Sequence, residues 1–193
     1  ASDADGDSLS VNYSWYNNSI EVVSLRGQAT GVADGVVTLV STLNEANTTF
    51  GQNWTCSVQA FDGSEYEGEY NNASLVILNS LPSITTPTIS PPTVYTNNSL
   101  TINTTYSDND TTSGILVFQW YVNNTNIYNE TNTSVSNGSV VIVSLNDKNF
   151  TKDDQVNVSI YANDSTNVSA TIFSQMITVQ NTAPEVTTPT LAP

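Results

Sequence analysis

Seven aspartates stand in two short runs and two single positions, in a spacing that suits oxygen ligation of a hard cation. Asp3, Asp5 and Asp7 form one run, Asp108 and Asp110 the other, and Asp62 and Asp164 each sit in a turn further along. If the loops meet, Asp3, Asp5 and Asp7 approach Asp62, and Asp108 and Asp110 approach Asp164. Calcium takes about six to eight oxygens, so these carboxylates are candidate ligands, and structural calcium is the one cofactor the sequence suggests. The competing reading is that Asp and Gly simply build turns and leave their charges solvated. The second set lacks a third Asp in its run and is the weaker candidate. Paired acids could also hydrolyse a glycosidic bond, but that chemistry needs a cleft, and nothing in the sequence implies one.

Other catalytic chemistry is excluded more firmly. The chain has no histidine, so Ser–His and Cys–His nucleophiles are out of reach. Cys56 is the only cysteine, which rules out an intrachain disulfide, a C-x-x-C pair and a four-cysteine metal site. Its expected role is a buried, inert thiol. The chain is therefore not expected to be an enzyme.

A second chemistry is written in asparagine. Asn-x-Ser/Thr triplets begin at Asn12, Asn17, Asn47, Asn53, Asn72, Asn97, Asn103, Asn109, Asn123, Asn129, Asn132, Asn137, Asn149, Asn157, Asn163 and Asn167, sixteen of the twenty-five asparagines. With roughly a quarter of residues being Ser or Thr, chance would give about six or seven. Part of the excess follows from strand geometry, because positions i and i+2 share a face and a polar face generates such triplets by itself. Many of them, however, fall in loops, where no such parity operates. Dense N-glycosylation is expected, in loops and at outward strand positions such as Asn12, Asn103 and Asn157.

Charge narrows the partners. Arg26, Lys148 and Lys152 face eighteen acids, giving a net charge of −15 and a pI near 4.1. Such a chain repels a phosphate backbone and an anionic membrane surface, so neither nucleic acid nor lipid is an expected partner. No apolar run has membrane-spanning length, so this section is not expected to insert directly into a bilayer.

The elements that must position these residues read as strands, with no helical period. Leu9, Val11, Tyr13 and Trp15 alternate with polar neighbours, and Trp54, Cys56, Val58 and Ala60 do the same. Strands are also expected at 21–25, 36–42 and 75–78, separated by turns at Gly27, Asp34-Gly35 and Asp62-Gly63. The second half repeats the order: Leu116, Phe118 and Trp120 match Val11, Tyr13 and Trp15; 140–145 matches 36–42; Val156 to Ala162 match Trp54 to Ala60; and 171–179 closes the unit. Trp15 and Trp120 are expected in the core, with Tyr16 and Tyr121 facing outward. The stretch beginning Asn79-Ser80-Leu81-Pro82 returns as Asn181-Thr182-Ala183-Pro184, an offset of 102 residues that marks tandem copies of a whole domain. Its prolines favour an extended, semi-rigid edge strand or linker. The fold class is all-β: tandem immunoglobulin-like antiparallel β-sandwiches joined by a proline-rich extended linker. The domains are 1–81, lacking its N-terminal strands; 82–183; and 184–193, the opening strand of a further repeat.

Asp3-Ala4-Asp5-Gly6-Asp7-Ser8-Leu9 followed by Tyr13-x-Trp15, with Ala60-Phe61-Asp62-Gly63 later, resembles the signature of PKD-type and related immunoglobulin-like repeats of prokaryotic, archaeal surface proteins. The second unit is a looser match, at Ser107-Asp108-Asn109-Asp110, Phe118-Gln119-Trp120 and Ala162-Asn163-Asp164-Ser165. The W-D-F-G-D-G of PKD domains is absent, and Tyr16-Asn17-Asn18 and Tyr121-Val122-Asn123-Asn124 stand there instead. That departure favours the broader immunoglobulin-like class. The resemblance implies an extracellular spacer, adhesive or coat role. The absence of disulfides agrees with a prokaryotic source.

The expectation is thus a structural section of an extracellular filament, stalk or surface coat, glycosylated and joined head to tail to other copies of itself. The alternative is an adhesin that binds glycans or another cell through its end loops. One gap sharpens the first reading. Aligning Asp3 with Asp108 puts Ala1 on Tyr106, so the first unit lacks the counterpart of the apolar strand at 100–104. Either the chain continues upstream or the end of a neighbouring copy, at 184–193, fills the groove by strand addition.

Overall fold

The computed structural model describes residues 1–186 and 188. Most of the expected opening strand at 184–193 lies outside the described residues. The chain divides into two compact units, Ala1–Asn79 and Ser80–Pro193. Regular structure among the described residues is strand, apart from three single 3-10 turns at Val23–Leu25, Glu45–Asn47 and Asp147–Asn149.

The first unit is one antiparallel sheet. It contains β1 (Leu9–Asn17), β2 (Ile20–Glu21), β3 (Gly27–Val32), β4 (Asn53–Phe61) and β5 (Asn71–Val76). β1 lies between β4 on one side and β2 and β3 on the other, and β5 pairs with β4. The register sets Trp15 opposite Cys56 and Tyr13 opposite Val58. The hairpin from β1 to β2 turns on Asn18 and Ser19, both at positive φ (47° and 68°), the left-handed pair that a two-residue turn between twisted strands requires. Leu9, Val11 and Val32 form a small core, with Ala29, Val40 and Val58 packed against it.

The second unit is a complete sandwich. Its strands are β6 (Ser83–Ile84), β7 (Thr88–Ser90), β8 (Leu100–Ser107), β9 (Ser113–Val122), β10 (Thr125–Ser136), β11 (Val140–Leu145), β12 (Gln155–Asn163), β13 (Ile172–Phe173) and β14 (Ile177–Thr178). One sheet runs β10-β9-β12, with β13 and β14 both on the far edge of β12; the other runs β11-β8, with β6 and β7 both on β8. Between them lie Leu100, Ile102 and Tyr106 of β8, Leu116, Phe118 and Trp120 of β9, and Val156, Val158, Ile160 and Ala162 of β12. Two facing antiparallel sheets in this strand order make an immunoglobulin-like β-sandwich. Trp120 is fully buried; an indole covers about 150–250 Å², worth at most about 4–6 kcal/mol of transfer free energy. The Tyr106 ring lies on Gly114, where an added Cβ would stand 2.5 Å from it, so glycine is what lets the phenol reach the core.

Several expectations change. The 36–42 stretch forms no strand in the first unit, and Val37 and Leu39 are 102% and 82% exposed. Its counterpart β11 pairs along its length with β8, and the first unit holds no counterpart of β8 to pair with. Trp15 and Cys56 are only half-buried, whereas Leu9, Val11 and Trp54 on the same face are buried. The proline-rich stretch is extended as expected but is no linker. It is built into the second unit as β6 and β7, with Pro82, Ile84, Pro87 and Ile89 buried. The expected strand at 21–25 stops at Glu21 and becomes a 3-10 turn, and the one at 171–179 is two short strands around Ser174. There the ladder continues through Ser174 N–H to Val158 O and Val158 N–H to Ser174 Oγ. The Gly27 turn proves to be the start of β3, and β10 is the longest strand of all.

Candidate functional site

The carboxylate loops of both units are capped by aspartate side chains. Asp3 Oδ1 accepts from the N–H groups of Asp5 (2.8 Å) and Asp7 (3.2 Å), and Asp108 Oδ1 accepts from those of Asp110 and Thr111 (2.7 Å each). Asp62 Oδ1 caps Ser64 and Glu65 at 2.6 and 2.7 Å; Asp164 Oδ1 caps Thr166 and Asn167 at 2.7 and 2.6 Å. All four are aspartate turns in which the side chain stands in for a backbone acceptor. At Asp62 those bonds, from Glu65 first and then Ser64, hold the carboxyl below the ordinary carboxylate range. Asp5 and Asp7 are exposed. Asp110 Oδ2 accepts from Ser80 N–H and Oγ, both at 2.5 Å. Among the described residues, no group of three or more His, Cys, Asp or Glu side chains is gathered as a metal site.

The second unit's loop end differs from the first in being buried. Asp108 and Asp164 are both buried, and among the described residues Asp108 Oδ2 has no hydrogen-bond partner. Both carboxylates act on the Tyr106 phenol, whose pKa is raised first by burial and then by these two charges, against a 3.1 Å hydrogen bond with Thr111 Oγ1. Asn137 clamps the Asp108 backbone, its Oδ1 accepting from the N–H (3.1 Å) and its Nδ2 donating to the carbonyl. The sequence reading missed this clamp, since Asn137 stands there only as a glycosylation triplet. It also missed Asp34, which accepts the Asp3 N–H at 2.8 Å.

None of the sixteen triplet asparagines is buried. Asn47, Asn53, Asn72, Asn97, Asn103, Asn109, Asn123, Asn129, Asn137 and Asn149 are exposed, and Asn12, Asn17, Asn132, Asn157, Asn163 and Asn167 are half-buried. Their amide nitrogens are not equally available. Asn123 Nδ2 donates to Asp154 Oδ1 (2.6 Å) while its Oδ1 takes the Gln155 N–H (2.9 Å). Asn149 Nδ2 donates to Asn146 O (3.1 Å), and Asn137 is committed to Asp108.

A concavity lies in the first unit. A groove of about 660 Å³ runs over the uncovered face of the sheet, with Leu9, Val11, Val58 and Ala60 on its floor and Ala1, Val36, Asp62 and Tyr66 among its walls. At its rim Tyr66 stacks on Phe61, ring centroids 4.5 Å apart. Cys56 lies in the same row of β4 as Val58 and Ala60, and burial pushes its thiol up, away from a reactive thiolate. Tyr121, expected outward, pairs with Phe173 at 6.3 Å.

No family model matches the chain, and no curated protein matches it. Among solved structures it is similar to the chicken interferon gamma receptor alpha chain, at 11% identity and a TM-score of 0.48, over 88% of this chain and 85% of that one. It is also similar to the FN1–FN3 domains of chicken CNTN1, at 9% identity and a TM-score of 0.33, over 91% of this chain and 55% of that one. Neither likeness bears on function. No helix among the described residues is long and apolar enough to cross a membrane. By strand order and core, the second unit is an immunoglobulin-like β-sandwich, and the first is one sheet of the same design with its inner face open.

Proposed function

We propose that this chain is a structural section of an extracellular, archaeal surface assembly: a filament, stalk or coat of glycosylated immunoglobulin-like repeats joined head to tail, without catalytic activity. The observation that carries the reading is the mismatch between the units. The repeat places the same motif at 82–91 and 184–193, yet one unit has two sheets and the other has one. Val58 and Ala60 of the first unit's sheet are only half-buried and open into a groove, apolar surface that a neighbouring repeat would cover. The exposed or half-buried positions of all sixteen triplets support the glycan coat, and the charge of −15 supports a soluble, non-lipid, non-nucleic-acid role. Calcium belongs to the proposal at one place only, the Asp108–Asp164 end of the second unit, where the unpartnered Asp108 Oδ2 would suit a cation with oxygen ligands. Electron micrographs of native material test the assembly reading. Filaments or a lattice agree with it; dispersed single molecules overturn it.

A second reading, an adhesin, has one observation in its favour, the exposed Tyr66 ring lying against the half-buried Phe61 at the end of β4. Aromatic faces there could stack on sugars. Binding to a glycan array, lost on Tyr66→Ala, would select that reading.

A further inference from the structure

We propose that Asn72 carries an N-glycan whose first sugars lie in a groove between Tyr16 and Tyr70, on the face of the first unit's sheet opposite Leu9 and Val11. The inference rests on the glycan-coat reading above. It names one attachment site, the bed that holds its sugar, and what the sugar does for the strand.

The register builds the site from three strands. Tyr16 of β1 faces Thr55 of β4; across β4, Thr55 faces Ser74 and Ser57 faces Asn72 of β5. Because side chains alternate along a strand, Tyr16, Thr55, Ser57, Asn72 and Ser74 all rise from one face. Tyr70 stands two residues before Asn72 and joins them in a groove of about 330 Å³, lined by Tyr16, Ser19, Thr55, Ser57, Tyr70 and Asn72. That is the small end of ligand-sized clefts. Asn72 opens the triplet Asn72-Ala73-Ser74 and is exposed. Among the described residues its side-chain amide enters no hydrogen bond, unlike those of Asn123, Asn137 and Asn149. Thr55 Oγ1 and Ser74 Oγ bond each other at 2.7 Å beside it.

The second unit has the same tyrosine and covers it differently. By register Tyr121 takes the place of Tyr16, Asn157 that of Thr55 and Ser159 that of Ser57. Opposite Ser159 stands Phe173, so Phe173 holds the position that Asn72 holds opposite Ser57. Phe173 lies against Tyr121, ring centroids 6.3 Å apart. One unit thus sets an aromatic ring beside its tyrosine. The other sets a glycan acceptor there and adds a second ring, Tyr70, which is 60% exposed. The C–H face of a sugar can cover such an apolar ring, while its hydroxyls turn to the Ser57 and Ser19 side chains. A glycan on Asn72 starts at the groove itself, so its attachment supplies the effective concentration that a free sugar would lack. Among the described residues β5 ends the sheet order, paired with β4 alone. A sugar reaching from β5 to Tyr16 of β1 ties that edge down and shields it from edge-to-edge pairing.

Hydrogen-exchange mass spectrometry of the full chain, made in a glycosylating host and typed at Asn72 by glycopeptide analysis, reads the contact. Peptides spanning β5 should exchange more slowly in the glycosylated chain than in Asn72→Gln, by about threefold to tenfold, the scale of an aromatic contact. In Tyr70→Ala the same glycan should protect β5 little, a coupling that a purely structural role of Tyr70 would not produce. Both positions are exposed, so both variants keep the fold. Equal exchange with and without the glycan, or protection that survives Tyr70→Ala, places the sugar in solvent and overturns the inference. A bare Asn72 in a chain glycosylated elsewhere overturns this site alone and leaves the glycan coat standing, whereas a chain without glycans overturns both. Binding of a free oligosaccharide by a chain whose Asn72 is bare would give the groove to a foreign glycan, and that too overturns the inference.

Discussion

Ile84→Ala and Val186→Ala are one substitution made at two copies of the same motif position, and they should carry very different weight in the isolated chain. Ile84 is 9% exposed and belongs to the second unit's core. The change removes three carbons, about 2.4 kcal/mol of transfer free energy at about 0.8 kcal/mol per carbon, and adds a cavity term. Because β6 is a two-residue strand on the sheet edge, the site can collapse in part, which holds the total near about 2–3 kcal/mol. Val186 has almost nothing to lose, and its truncation should stay within about 0.5 kcal/mol. The slowest-exchanging amides of β12, read by hydrogen-exchange mass spectrometry, report global opening of the second unit. Ile84→Ala should accelerate them about 30-fold or more, and Val186→Ala should leave them unchanged. Equal effects at the two positions would refute the claim that the motif is packed once and bare once.

The remaining expectations concern the loops and the surface. Tyr106 has its pKa raised by burial and by Asp108 and Asp164, so its folded value exceeds the unfolded one of about 10. Its contribution to stability is therefore complete below pH about 10 and is lost as pH rises through the folded value. In a phenolate absorbance titration one of the nine tyrosines should lag, and Tyr106→Phe should remove the lag; nine phenols ionising together would contradict this. Asp154 is held below the ordinary range, first by the Thr151 N–H and then by Asn123 Nδ2. Its stabilising contribution is present at neutral pH and fades in acid as pH falls through that lowered value, and Asp154→Ala should flatten the acid limb of a melting-temperature profile. Glycopeptide mass spectrometry of native material should find Asn47, Asn72, Asn103 and Asn109 occupied and Asn123, Asn137 and Asn149 bare, because the amide nitrogens of the last three are bonded within the fold; full occupancy at Asn123 and Asn137 would contradict the surface assignment. If calcium is held at Asp108 and Asp164, the melting midpoint falls on adding chelator, and identical midpoints remove the metal from the account.

What could be read from the sequence was what alternation and repetition carry. The two tryptophan strands, the strand through Cys56, their counterparts in the second unit and the period near 102 residues all follow from apolar residues spaced by two and from a duplicated proline motif. β10 was invisible because its outer residues are Asn, Thr and Glu and it lies on an edge, where no apolar alternation is needed. The strand at 36–42 was legible and still did not form, since a strand's propensity is spent only where a partner offers its ladder. The aspartates were correctly placed in loops, but alternation cannot tell an Asx turn from a ligand. The N–H groups that Asp3, Asp62, Asp108 and Asp164 accept, and the burial that separates Asp108 from Asp3, become visible only in the fold.

The most direct test of the account is the density over the first unit's inner face in a cryo-electron microscopy map of the native assembly. The account predicts density from a neighbouring repeat covering the groove over Val58 and Ala60. A groove left open to solvent in the native material would contradict it.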